Sequence, residues 1–148
     1  MAAVKGKNTL PEIFLRQHLH KAGFRYRLHA KGLPGKPDLV FPKRKAVLFI
    51  HGCFWHGHGC HRFSWPKTRE EFWRKKITGN MERDLRQQNM LRSLGWRVGI
   101  VWSCALQGKA KLSPKVIIDE CAKWLNGPDE TFVLQGRIDR NKSSVSRP

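Results

Sequence analysis

The stretch AVLFIHGCFWHGHGCH, residues 46–61, decides how this chain is read. Its first six residues form a continuous apolar run of strand length, the pattern of a strand buried on both faces. The next ten pack two cysteines, three histidines and two large aromatics into one loop. Cys53, His58 and Cys60 form a C-x4-H-x-C cluster, three soft ligands from one segment, which is the donor set of tetrahedral zinc. Such a site needs a fourth ligand, and Cys104 in VWSC is the candidate. Phe54 and Trp55 sit between ligands, where a core-building loop rarely places such rings. His51 and His56 are left for other chemistry.

Working outward, the segment before this run, DLVFPKRK, reads as a short strand at 38–41 and a turn, so that 38–41 and 46–51 form a hairpin. FRYRLH at 24–29 alternates apolar and polar residues and is expected to be a strand. Upstream, T-L-P-E at 9–12 has the pattern of a capping box, with Thr9 as N-cap, Pro11 in the first turn and Glu12 at N3. It opens a helix that closes at Gly23, with Leu10, Ile13, Phe14, Leu19 and Ala22 on its apolar face. Downstream of the loop, residues 68–94 read as helical, with a break expected at Thr78-Gly79-Asn80. RVGIVW at 97–102 is a second doubly buried strand. Ser113-Pro114 caps a last amphipathic helix to about Leu125, whose apolar face makes Cys121 a core residue. The order α-β-β-β-loop-α-β-α predicts an α/β fold, a mixed central sheet flanked by helices. The chain is expected to be one domain over 1–148, with a flexible basic arm at 1–8 and a frayed tail from 136.

Composition narrows the function. With 29 Lys+Arg against 11 Asp+Glu the formal net charge is +18, the footprint of a polyanion binder. The chain also carries six Trp and eight Phe, which a merely solvated basic surface does not need. No apolar run is long enough to span a membrane and the first residues do not read as a secretory signal, so an intracellular location is expected. Four cysteines, two of them among histidines, favour metal over disulfides.

Asp38, following Pro37 at the start of the short strand, reads by itself as a turn aspartate; with His51 and the Cys–His loop nearby in the hairpin it reads as the strand-end aspartate with which many magnesium nucleases hold their metal. The neighbouring strand offers Phe49, Ile50 and His51 but no second carboxylate. Magnesium accepts water, phosphate and a backbone carbonyl in its place. His51 and His56 have the pKa range for activating water and assisting the leaving oxygen. Glu12 is explained equally well by its capping role and by a place in the site.

Together the stretches KGKNTLPE, LPGKPDLVF, HGCFWHGHGCH, PKTREEFWRKKITGNMERD and LGWRVGIVWSCALQG resemble the very short patch repair endonucleases of bacteria, over about residues 5–108. The resemblance implies a variant of the restriction-endonuclease core. It implies a magnesium-dependent enzyme that nicks DNA 5′ of the T in T·G mismatches left by deaminated 5-methylcytosine, with a DNA cytosine methyltransferase as its functional neighbour and a cytoplasmic, nucleoid-associated location. It casts Asp38 as the magnesium ligand and Ile50, where many members have Thr, as the residue whose carbonyl helps hold the ion. His56 becomes the base, His51 the second histidine at the scissile phosphate, and Glu12 an active-site carboxylate. It makes Cys53, His58, Cys60 and Cys104 the structural zinc ligands, and Phe54, Trp55 and Trp73 the aromatics that enter the base stack. Two departures stand out: a shorter segment ahead of KGKNT than is usual, which bears on grip rather than chemistry, and glycines at 57 and 59 where many members have histidines. A monomer is expected, since a mismatch lacks the two-fold symmetry that dimers read. The competing readings are a non-catalytic zinc-stabilised nucleic-acid-binding module and a restriction-type nuclease that cuts both strands of matched DNA.

Overall fold

The structure is a computed structural model and describes residues 10–61 and 63–137. The Thr9 cap, the arm at 1–8 and the tail from 138 lie outside the described residues. Helix α1 (Leu10–Lys21) is followed by strands β1 (Arg27–Leu28), β2 (Leu39–Phe41) and β3 (Ala46–His51). Helix α2 (Glu70–Ser93), strand β4 (Arg97–Trp102), the short helix α3 (Ser103–Leu106), helix α4 (Pro114–Asn126) and strand β5 (Thr131–Leu134) complete it. The five strands form one mixed sheet in the order β1-β2-β3-β4-β5. The β1–β2 and β2–β3 pairs are antiparallel, and the β3–β4 and β4–β5 pairs are parallel. This is the mixed sheet with flanking helices of a restriction-endonuclease-like core.

Period-two alternation splits β3 and β4 between two cores. Ala46, Leu48 and Val101 join Leu15 and Leu19 of α1 and Ile117, Cys121, Trp124 and Leu125 of α4. Val47, Phe49, Val98 and Ile100 face the opposite side and pack with Leu91 of α2. Both strands are therefore covered on both faces, which is why they read as unbroken apolar runs. Cys121 is fully buried in the first core, and burial pushes its thiol up to about 12. Ser113 caps α4, its hydroxyl accepting from the Val116 N–H at 3.2 Å.

Four local expectations are corrected. Only Arg27–Leu28 of the segment 24–29 pairs in the sheet. Phe24 is drawn into the core, Tyr26 donates its hydroxyl to the Arg16 carbonyl at 2.8 Å, and His29 turns left-handed at φ 45°. On α1 the buried residues are Glu12, Leu15 and Leu19, while Leu10 is 81% exposed. Helix α2 runs unbroken through Thr78-Gly79-Asn80. The cost of about 1 kcal/mol for a helical glycine is offset by contacts on either side: Ile77 is buried, and the Asn80 amide donates to the Trp55 carbonyl at 2.9 Å. Strand β5 was not anticipated. TFVL is short, and it is a strand only because β4 offers a free edge.

Gly99 is the tightest point of the sheet. A Cβ there would lie 2.9 Å from two ring carbons of Trp124 and 3.2 Å from Phe132. Those two rings stack at 5.1 Å, and the Arg97 guanidinium lies over Trp124 at 5.0 Å. Neither ring is a flexible chain end that can swing aside. Gly99→Ala is expected to lower unfolding free energy by about 1–3 kcal/mol through overpacking; urea denaturation of the two proteins measures it, and an unchanged midpoint would refute the packing account.

Candidate active site and metal centre

The chemistry-bearing residues gather at one end of the sheet because of how β3 and β4 pair. The strands run in register from Ala46 opposite Arg97 to His51 opposite Trp102. Parallel strands of equal length end at the same level. Cys53 and Cys104 each lie two residues past a strand end, so the two thiols meet. His58 and Cys60 return to them along the loop. The four ligand atoms of Cys53, His58, Cys60 and Cys104 lie within 4.8 Å of one another. The Cys104 Sγ–His58 Nδ1 separation is 3.7 Å, close to the about 3.5 Å edge of a tetrahedron with zinc-type bond lengths.

The surroundings of this cluster push its two buried thiols in opposite directions. Cys53 is pulled down to about 3, first by its hydrogen bond with Cys104, against the effect of burial and with help from His58 and Ser103. The same bond, reinforced by burial, pushes Cys104 up. Ser103 donates to Cys53 Sγ at 3.3 Å and accepts from the Cys53 N–H at 3.2 Å. The Gly136 N–H donates to Cys104 Sγ at 3.2 Å, and His58 Nε2 pairs with the Gln135 side-chain oxygen at 2.9 Å. The His58 ring stacks on Trp102 at 4.1 Å. Outer partners of this kind fix ring orientation and ligand basicity. The donor set fits a tetrahedral, sulfur-rich metal site.

A second group lies beside the first. His51, at the end of β3, is 6% exposed, and its ring stacks on that of His56 at 3.8 Å and an interplanar angle of 2°. His56 Nδ1 lies 2.5 Å from Asp84 Oδ2. Burial, and then the His56 charge, lower His51 to about 3. Burial thus favours the neutral form of His51. Nδ1 is the ring nitrogen of His56 that meets the Asp84 carboxylate, an acceptor, and so carries a proton there.

The third group surrounds Asp38. Its Oδ2 accepts from the Ile50 N–H at 2.7 Å, tying the start of β2 to the end of β3. Burial pushes the Asp38 carboxyl up to about 6, opposed by that hydrogen bond and assisted by the nearby Glu12 charge. Glu12 is 2% exposed and its Oε2 meets His29 Nε2 at 2.5 Å and Arg16 at 3.3 Å. The ligand atoms of Glu12, His29 and Asp38 also lie within 4.8 Å of one another. The second carboxylate that the neighbouring strand lacks is supplied instead by α1. Two oxygen donors with Ile50 at hand suit a hard divalent ion.

The aromatics form a separate cluster at the surface. Phe54, Trp55 and Trp73 lie with ring centroids 5.1 to 5.7 Å apart, outside both cores. Trp55 is 45% exposed. Gly57, at φ 66°, lets the loop pass against α2, since a Cβ there would meet Met81 Sδ at 2.5 Å. Arg69, Arg74, Lys75, Lys76 and Arg83 are all exposed along the same helix.

Two residues escaped the sequence reading. Asp84 carried a signal: Ile77, Asn80 and Asp84 share one helix face, an acid on the buried side of a basic helix. His29 carried only its place beside the Pro-Asp turn.

Comparison with known proteins bears on this site. The family described as DNA mismatch endonuclease Vsr matches residues 1–62. The chain is similar to the type II nicking enzyme V.XorIIP of Xanthomonas oryzae pv. oryzae, 50% identical over 116 residues, covering 78% of this chain and 85% of that protein. It is 43% identical over 127 residues to the DNA mismatch endonuclease Vsr of Escherichia coli, covering 86% and 81%. It is 46% identical over 110 residues to the type II nicking enzyme V.NmeAIP of Neisseria meningitidis, covering 74% and 79%.

The Asp38 environment makes a pH prediction. Its folded pKa of about 6 lies above the ordinary 3.8. Its contribution to stability is therefore fully present below the lower value and lost as pH rises through the higher one. Without divalent ions, Asp38→Asn is expected to gain on the order of 1–3 kcal/mol at pH 8 and nothing at pH 4. Denaturant titrations at the two pH values decide, and an equal effect at both would contradict the burial account.

Proposed function

The chain is a DNA endonuclease of the DNA mismatch endonuclease Vsr family, and we propose that it nicks one strand of duplex DNA on the 5′ side of the T in a T·G mismatch, with magnesium as its catalytic ion. Such mismatches follow deamination of 5-methylcytosine, so the product is the entry point of very short patch repair. The observation that carries this reading is the convergence of Asp38, His51 and the His56–Asp84 pair at one sheet end, beside an exposed aromatic cluster. A binding module has no need of the buried acids.

Asp38 and the Ile50 carbonyl are the proposed ligands for magnesium, which when bound neutralises charge on the scissile phosphate and helps orient water. Asp84 holds His56 in the tautomer whose Nε2 accepts a proton from that water. His51, stacked against His56 and kept neutral by burial, fixes the plane of the base and offers a neutral hydrogen-bonding group to the phosphate. Cys53, His58, Cys60 and Cys104 are the proposed ligands of a structural zinc, which cross-links the loop to the end of β4 when bound.

Phe54, Trp55 and Trp73 are the proposed wedge. Unstacking a base step costs a few kcal/mol, and the cost is lower at a weakly stacked wobble pair. Each base–aromatic contact returns about 1–3 kcal/mol. Discrimination therefore arises from deformability, provided the rings are already in place. Loop and helix are tied together for this purpose by the Asn80–Trp55 hydrogen bond. The basic residues along α2 supply salt-dependent phosphate contacts. The protein acts as a monomer, on sites written by a DNA cytosine methyltransferase.

Purified protein with magnesium is expected to nick a T·G duplex and leave the matched duplex intact; equal cutting of both, or of neither, would refute the assignment. Asp38→Ala is expected to abolish nicking while the mismatched duplex still binds in a gel-shift assay, and a fully active variant would displace Asp38 from the metal site. Metal analysis is expected to find one zinc per chain, absent from Cys104→Ala, which also melts at lower temperature. Full zinc in that variant would refute the ligand set.

A further inference from the structure

His29 has no part in the mechanism above, yet it stands against the two carboxylates of the Asp38 site. It is the first residue past β1, and Asp38 is the last before β2. The register that pairs Leu28 with Leu39 sets the two side by side, and the His29 N–H donates to the Asp38 carbonyl at 3.0 Å. The chain then leaves the strand with His29 in the left-handed region, φ 45°, a conformation that costs a residue bearing a Cβ. In that conformation its Nε2 sits 2.5 Å from Glu12 Oε2. The donor atoms of the three residues lie within 4.8 Å of one another, so small side-chain rotations bring them onto a single ion. They arrive from three different parts of the chain: α1, the end of β1 and the start of β2.

This donor set is not that of an all-oxygen magnesium site. Magnesium takes oxygen ligands and retains water, whereas imidazole suits first-row transition ions. We propose that His29 and Glu12 join Asp38 as direct ligands of its divalent ion, which makes the site a nitrogen–oxygen site with a preference for manganese-class ions over magnesium. The proposal rests on the reading of Asp38 as the metal-holding residue. Magnesium still uses the oxygen donors; a transition ion gains the nitrogen in addition. Ligand atoms around a six-coordinate ion with bonds of about 2.1 Å sit roughly 3 Å apart. The Glu12–His29 contact therefore opens by about half an ångström when an ion enters, a shift within reach of side-chain rotation.

The test uses the full chain with its thiolate site loaded with zinc, and Mn2+ as the probe. Free Mn2+ is followed by electron paramagnetic resonance to obtain its affinity, and pulsed measurements detect nitrogen bound to the ion. Wild-type protein is expected to show a directly coupled imidazole nitrogen. His29→Asn is expected to lose that coupling and to bind Mn2+ on the order of tenfold more weakly, with Mg2+ affinity, measured by competition, unchanged. Asparagine is chosen because it tolerates the left-handed backbone, and zinc content with a melting curve establishes that the variant is folded. A wild-type complex without nitrogen coupling, or coupling that survives in folded His29→Asn, overturns the proposal. Should the variant not fold, the wild-type spectrum alone decides. Intact coupling in a protein that cleaves no DNA would instead sink the nuclease reading and leave the ligand assignment standing.

Discussion

The in-register parallel pairing of β3 and β4 is the constraint on which the site depends. Two strands of equal length, joined from Ala46–Arg97 to His51–Trp102, deliver their next residues to the same level. That one geometric fact brings Cys53 to Cys104, His51 to Trp102 and Ser103 to the Cys53 sulfur. The antiparallel β2 then brings Asp38 to the same end through its bond to the Ile50 N–H. Function at the carboxyl end of parallel strands is common in α/β sheets because the strand carbonyls and loops open there. The two-sided core explains why the pairing holds: neither strand can slip by one residue without exchanging its faces.

Electrostatics sharpens the picture. A chain of formal charge +18 has 11 acidic residues, and it places Glu12, Asp38 and Asp84 in the part-buried groups around the sheet end. The result is a small acidic centre in a strongly basic molecule. A polyanion is attracted by the basic surface, while a cation is drawn to the acidic groups. Burial raises Asp38 and lowers His51, so in both groups it works against the charged form.

The aromatic cluster obeys a related logic. Rings outside the cores cannot be held by burial, so they are held by tethers. The Asn80–Trp55 bond, the close approach at Gly57 and the ring contacts among Phe54, Trp55 and Trp73 connect the loop to α2. The Cys–His cluster clamps the loop's other end to β4. The wedge role proposed for these rings would draw on this support from both sides, since rings already in place lose less freedom on binding.

By itself the sequence determined whatever is written in neighbouring residues. The two buried strands, the Ser113-Pro114 start of α4, the core position of Cys121 and the four-residue Cys–His set all follow from local spacing and from ligand chemistry too distinctive to be chance. Asp38, His51 and His56 were read as candidates from their places at strand ends and in the loop, and from resemblance to a known family; their roles remain proposals. Only the tertiary structure decided the rest. It paired TFVL onto the β4 edge, carried α2 through Gly79, turned Glu12 toward the site, and brought in His29 and Asp84 as partners of Glu12 and His56. These outcomes depend on contacts between residues 17 to 28 positions apart or more in the chain. Local propensity has no term for them, because a strand edge or a buried face exists only once the other elements have packed.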